Sequence, residues 1–118
     1  MQMRWLGTWL FGKLRSPRCF LETARVLRAA RREDWAAVVA GLDHVREQRP
    51  LDGLELGYLG AALLRLERYE DIVDEFARLQ KRSDAAGLEA LRPYYASALL
   101  WLERNQEALE QFEKMGGD

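Results

Sequence analysis

The chain has 118 residues, of which 48% are hydrophobic and 31% charged, with a formal net charge of −1; this is one-domain size with enough apolar content for a core. Thr is nearly absent, Ile occurs once, and Ala, Leu, Glu and Arg dominate, so strand signals are poor and the composition favours helices. No apolar run reaches the roughly 18 residues a bilayer-spanning helix needs. The lone Cys19 excludes an internal disulfide, has no neighbours at metal-ligand spacing, and fits a reducing, cytoplasmic compartment.

Charge is unevenly placed. Residues 1–34 carry eight Lys/Arg against three acids, a net +5, and no acid precedes Glu22. The remainder carries ten bases against sixteen acids, a net −6. Such asymmetry suggests that the two ends meet different partners, although the ends of a helical array also differ in composition for no functional reason.

Residues 1–15 form a basic, Trp-rich segment ahead of a helical domain over 16–118. Trp5, Leu6, Trp9, Leu10 and Leu14 recur at helical spacing, Phe11 adds a third aromatic, and Arg4, Lys13 and Arg15 flank the stripe. A secretory signal would need a longer apolar run and a small-residue cleavage site. Two readings rank ahead of targeting: docking on protein, and contact with an anionic membrane surface through Arg4, Trp5, Trp9, Leu10, Phe11 and Lys13. Gly7 and Gly12 weaken an isolated helix, so the segment needs a surface on which to fold.

Ser16-Pro17 reads as an N-cap and first helical residue. From there a repeat runs through the chain. Leu63-Leu64-Arg65-Leu66-Glu67-Arg68-Tyr69 through Phe76 returns 36 residues later as Leu99-Leu100-Trp101-Leu102-Glu103-Arg104-Asn105 through Phe112. An earlier copy, Ala29 through Leu42, precedes the middle one by 34 residues. This period marks a helix–turn–helix array. Each unit predicts an apolar helix, a polar turn and an amphipathic helix. The aromatics Trp35 and Tyr69 after the turn are expected in the wedge between the two helices. Val38, Ile72 and Ala108 allow close approach, and Leu42, Phe76 and Phe112 pack onward. Asp34 and Asp52 are predicted N-caps, Pro50-Leu51-Asp52-Gly53 an inter-repeat turn, and Ser83-Asp84 the start of the next element. Pro93 predicts either a helix start or a bend.

On these residues the chain resembles the tetratricopeptide family. Leu59-Gly60 with Leu63 matches the family's first-helix signature, as do Tyr95-Ala96 with Leu99. Tyr69 and Trp35 match its aromatic after the turn, Ala108 its alanine, Phe76 and Phe112 its following aromatic, and Pro50 its closing proline. Asn105 replaces the third aromatic, and Ile72 and Val38 replace the alanine. The resemblance covers roughly residues 19–115. It implies an all-α, right-handed superhelical stack of about three antiparallel helix pairs, with an extra N-terminal helix. It further implies a concave groove lined by Leu27 and Arg31 from the first pair, Tyr58, Ala61, Leu64 and Arg65 from the second, and Tyr94, Ser97, Leu100 and Trp101 from the third. A carboxylate clamp of the family's Lys/Asn type has no counterpart in this residue set.

Catalytic chemistry is hard to find. His44 is the single histidine, and although Asp43 and Glu47 are near it, no second histidine or cysteine completes a metal set. Glu70/Asp74 and Glu103/Glu107 sit at turns and helix starts, where acids favour the helix dipole rather than proton transfer. Ser16, Ser83 and Ser97 have no accompanying base, and Gly53, Gly57 and Gly60 lack the spacing of a phosphate loop. The expectation is therefore a non-enzymatic protein with no cofactor: a scaffold, adaptor or assembly subunit that grips a helical or extended peptide in its groove. The alternative is a peripheral membrane-associated accessory subunit anchored by the N-terminal segment. Nucleic-acid binding through Arg25, Arg28, Arg31 and Arg32 ranks third, since no reading motif accompanies them. Phe112 and Met115 lack an obvious cap, so self-association through the last repeat is a further expectation.

Overall fold

The computed structural model describes residues 17–116. These are helical, with no strand among them: α1 Pro17–Arg31, α2 Trp35–Gln48, α3 Gly53–Arg65, α4 Tyr69–Lys81, α5 Ala85–Trp101 and α6 Asn105–Gly116. None of the described helices is long and apolar enough to cross a membrane. The chain divides into two compact units, residues 1–50 and 51–118.

The first unit contains the α1/α2 hairpin. Its buried side chains are Val26 from α1 and Val38, Val39, Leu42 and Val45 from α2. Gly41 brings the two helices together: a Cβ there would lie 2.5 Å from Val26 Cγ2. Asp34 caps α2, accepting from the Ala37 N–H at 3.3 Å. Glu22 on α1 accepts from Gln48 Nε2 at 3.2 Å and ties the far ends of the hairpin.

The second unit is organised around α5, which packs against α3, α4 and α6. The helix starts are written locally. Asp52 and Glu55 form a reciprocal capping box on α3, each side chain accepting from the other's backbone N–H at 2.9 Å. This accounts for a glutamate only 5% exposed. Asp84 caps α5 by accepting from the Gly87 N–H at 2.9 Å. Arg68 and Arg104 occupy the equivalent turn positions and pair instead with the acids three residues on, Asp71 at 2.7 Å and Glu107 at 2.6 Å.

One turn recurs four times. Glu33, Glu67, Ser83 and Glu103 take positive φ, between 54° and 60°. The following residues, Asp34, Arg68, Asp84 and Arg104, donate backbone N–H groups to Ala29, Leu63, Leu79 and Leu99. This is the Schellman arrangement, which satisfies carbonyls that the helix end leaves free. The αL residues Glu33, Glu67 and Glu103 preserve the 34- and 36-residue phase read from the sequence. The same geometry also joins α4 to α5, where the sequence reading saw only a linker or helix start.

The expected close-approach residues Val38, Ile72 and Ala108 are fully buried, and Leu42 and Phe76 nearly so. Phe112 differs, at 40% exposed. The two outcomes left open for Pro93 resolve to an interior position: α5 begins eight residues earlier, at Ala85, and runs through it. Tyr69, expected in the wedge of its own hairpin, is half-buried and stacks on Trp101, with centroids 5.8 Å apart and rings within 6° of parallel. The reason is topological: antiparallel α4 and α5 bring the start of one beside the end of the other.

Candidate protein-docking face

Two glycines set the geometry of α3 against α5. A Cβ on Gly53 would lie 3.8 Å from Ala90 Cβ, and a Cβ on Gly60 would lie 2.6 Å from Tyr94 Cδ2. Start faces start, so the two helices run parallel. On α3, Leu56, Leu59, Gly60 and Leu63 are buried, and helical spacing turns Leu54, Gly57, Tyr58, Ala61, Leu64 and Arg65 to another side. On α5, Leu91, Tyr95 and Leu99 are buried, Tyr95 against Phe76 of α4. Ala90, Pro93, Tyr94, Ser97, Leu100 and Trp101 fall on the side of α5 away from that contact. The Gly53–Ala90 and Gly60–Tyr94 contacts bring the two stripes edge to edge, with Trp101 at the end of the α5 stripe reaching Tyr69 at the start of α4.

The result is one face across two helices. Leu54 and Trp101 are each 68% exposed and Leu100 is 48% exposed. Tyr58, Ala61, Leu64, Tyr94 and Ser97 are half-buried, and Arg65 is exposed at the end of α3. Arg65 is the single charged side chain among these twelve residues. Large exposed apolar residues are unremarkable singly, but a contiguous set is a recognition feature.

All eight predicted groove residues of the second and third repeats fall on this face. Their roles divide. Tyr94 is shared between the face and the helix contact, because its ring lies against the bare backbone at Gly60. Ser97 is turned back on its own helix, its hydroxyl donating to the Pro93 carbonyl at 3.0 Å. Trp101 presents one ring face to solvent and the other to Tyr69. Leu27 and Arg31 belong to the first unit, where both are exposed on α1. The predicted docking residues Arg4, Trp5, Trp9, Leu10, Phe11 and Lys13 lie outside the described residues. Sequence reasoning missed Leu54; its spacing to Tyr58, Ala61 and Arg65 was the available signal.

Behind the face, an aromatic layer stiffens α5. Phe76 and Tyr95 stack with centroids 3.8 Å apart, and the Arg92 guanidinium lies over Phe76 at 5.8 Å. Burial raises the Tyr95 phenol above its ordinary range, reinforced by the Glu107 carboxylate and opposed by Arg104. Elsewhere, Leu109, Phe112 and Met115 form a second exposed apolar stripe on α6. His44 is exposed, 3.9 Å from Glu47. Among the described residues no three His, Cys, Asp or Glu side chains converge as a metal set. Compared with known proteins, the chain matches no family model, no curated protein and no solved structure.

Proposed function

We propose that this chain is a non-catalytic protein-binding module, built from tetratricopeptide-like hairpins, whose α3/α5 face receives an apolar helical or extended segment of a partner protein. The observation that carries this reading is the exposure of three large apolar side chains on these two helices, Leu54, Leu100 and Trp101, with half-buried Tyr58, Leu64 and Tyr94 on the same stripes. Several features support it. α3 and α5 pack closely side by side, with Tyr94 against Gly60 at the contact. Trp101 lies parallel to Tyr69 and is largely exposed, so its ring is available to a partner. Aromatic residues of this kind dominate binding energies when buried at an interface.

The test is co-purification of full-length tagged protein from its native cells, with the bound partner quantified. Trp101→Ala and Leu54→Ala should each weaken capture of one specific partner by about tenfold or more, the loss expected of a hot-spot truncation. Both sites are exposed, so neither change should unfold the protein. Undiminished capture by both variants would remove this face from the account.

A further inference from the structure

Helix α1 carries a second surface that the protein-docking face does not use. Its inner side is Val26, packed on Gly41 of α2, with Ala29 and Ala30 half-buried beside it. The opposite side is exposed and consists of Leu21, Ala24, Arg25, Arg28 and Arg31, with Arg32 following at the helix end. At helical spacing Leu21 falls between Arg25 and Arg28, while Leu27 borders the patch. Leu21 is 56% exposed and Leu27 37% exposed. No carboxylate shares this side. Glu22 is turned to Gln48 of α2. Glu33 sits beyond the helix in the left-handed turn, and Asp34 is engaged in capping α2. Among the described residues, none of the four arginines has an ion-pair or hydrogen-bond partner on its side chain.

Four unpaired guanidinium groups on one helix side repel one another and favour an anionic partner. Two classes of polyanion fit the charge: a nucleic acid, and a membrane rich in acidic phospholipid. The exposed leucines decide between them. A phosphate backbone is gripped by cations together with polar donors such as Ser, Asn and Gln, and this side offers none. A lipid interface instead takes cations at the headgroup level and leucine or aromatic side chains just below it. The preceding sequence continues the same chemistry, with Trp5, Trp9, Leu10 and Phe11 among Arg4, Lys13, Arg15 and Arg18, and no acid before Glu22.

We propose that the Leu21/Arg25/Arg28/Arg31 side of α1 docks this protein on an anionic phospholipid membrane, independently of the α3/α5 face. The arginines meet the lipid phosphates and carboxylates, and Leu21 enters the interface between them. Each basic side chain near such a surface strengthens binding about fivefold, so three together contribute on the order of a hundredfold.

The experiment is vesicle flotation of the full chain on phosphatidylcholine vesicles with and without about 30 mol% phosphatidylserine, at low and high salt. The triple variant Arg25→Glu/Arg28→Glu/Arg31→Glu is compared with Lys81→Glu/Arg82→Glu/Lys114→Glu. The second variant changes net charge equally at exposed positions of the other unit. The expected result is salt-sensitive binding to the phosphatidylserine vesicles alone, reduced about a hundredfold or more by the α1 variant and only modestly by the control. Leu21→Gln should lower binding about tenfold at unchanged salt dependence. Equal binding of the two triple variants, equal binding to both vesicle types, or tighter binding to a short DNA or RNA duplex than to the acidic vesicles would each overturn the proposal. Circular dichroism identifies any variant that loses its helices; Arg→Gln versions at the same positions then replace it, with the same readings applied.

Discussion

Gly57 and Gly60 sit three residues apart on α3 and demand opposite things of a side chain. A Cβ at Gly57 meets nothing within 4 Å, whereas one at Gly60 would lie 2.6 and 2.8 Å from Tyr94 Cδ2 and Cγ. Gly57→Ala should therefore stabilise the protein by up to ~1 kcal/mol through helix propensity. Gly60→Ala should cost about 1–3 kcal/mol because the root of a ring, not a flexible tip, must give way. Urea unfolding of the two variants measures both, and a Gly60→Ala midpoint at or above that of the parent would contradict the packing described. Gly60 was readable in the sequence as half of the Leu59-Gly60 pair. Leu54 was missed because it follows a Pro-Leu-Asp-Gly turn and was not counted with the helix, although its spacing to Tyr58, Ala61 and Arg65 places it on their side. The burial of Glu55 was also missed, although Asp52 with Glu three residues later is the written form of a capping box.

At the scale of elements, α5 links the core to the exposed apolar residues of the α3/α5 face. Its Tyr95 is stacked between helices and raised in pKa chiefly by burial, then by Glu107. A raised pKa on an acid means that the fold prefers the neutral phenol. The associated stability is fully present below the unfolded value of about 10 and is lost as pH rises through the higher folded value. Chemical-denaturation midpoints followed from neutral pH to strongly alkaline pH should therefore fall more for the parent chain than for Tyr95→Phe. Identical alkaline slopes would show that Tyr95 ionises as freely in the fold as outside it. Helix existence and phase were legible because the 34- and 36-residue period combines with apolar spacing. Two features were not. Pro93 gives the same local signal at a helix start and within a long helix, and only the Asp84 cap places the start earlier. The pairing of Tyr69 with Trp101 joins residues of different hairpins, which repeat spacing alone does not specify.

For the molecule as a whole, the two units carry surfaces of different chemistry. The outer side of α1 is cationic with interspersed leucines, and the α3/α5 face is apolar with one arginine. The basic excess of the sequence is confined to residues 1–34, which include the arginines of α1. Eight of the ten groove positions carried over from the tetratricopeptide resemblance lie on the face of the second unit, because α3 and α5 keep the same phase across the 36-residue repeat. The central proposal is that a partner protein covers that face. Site-specific photo-crosslinking in native cells addresses it most directly, with a benzophenone amino acid placed singly at Leu54, Tyr58, Leu100 and Trp101 and, as controls, at the exposed α4 positions Ala77 and Gln80. The account predicts crosslinks to one and the same protein from the four face positions and none to it from α4. Crosslinking of that protein with equal yield from Ala77 and Gln80, or no protein adduct from any of the four, would contradict it.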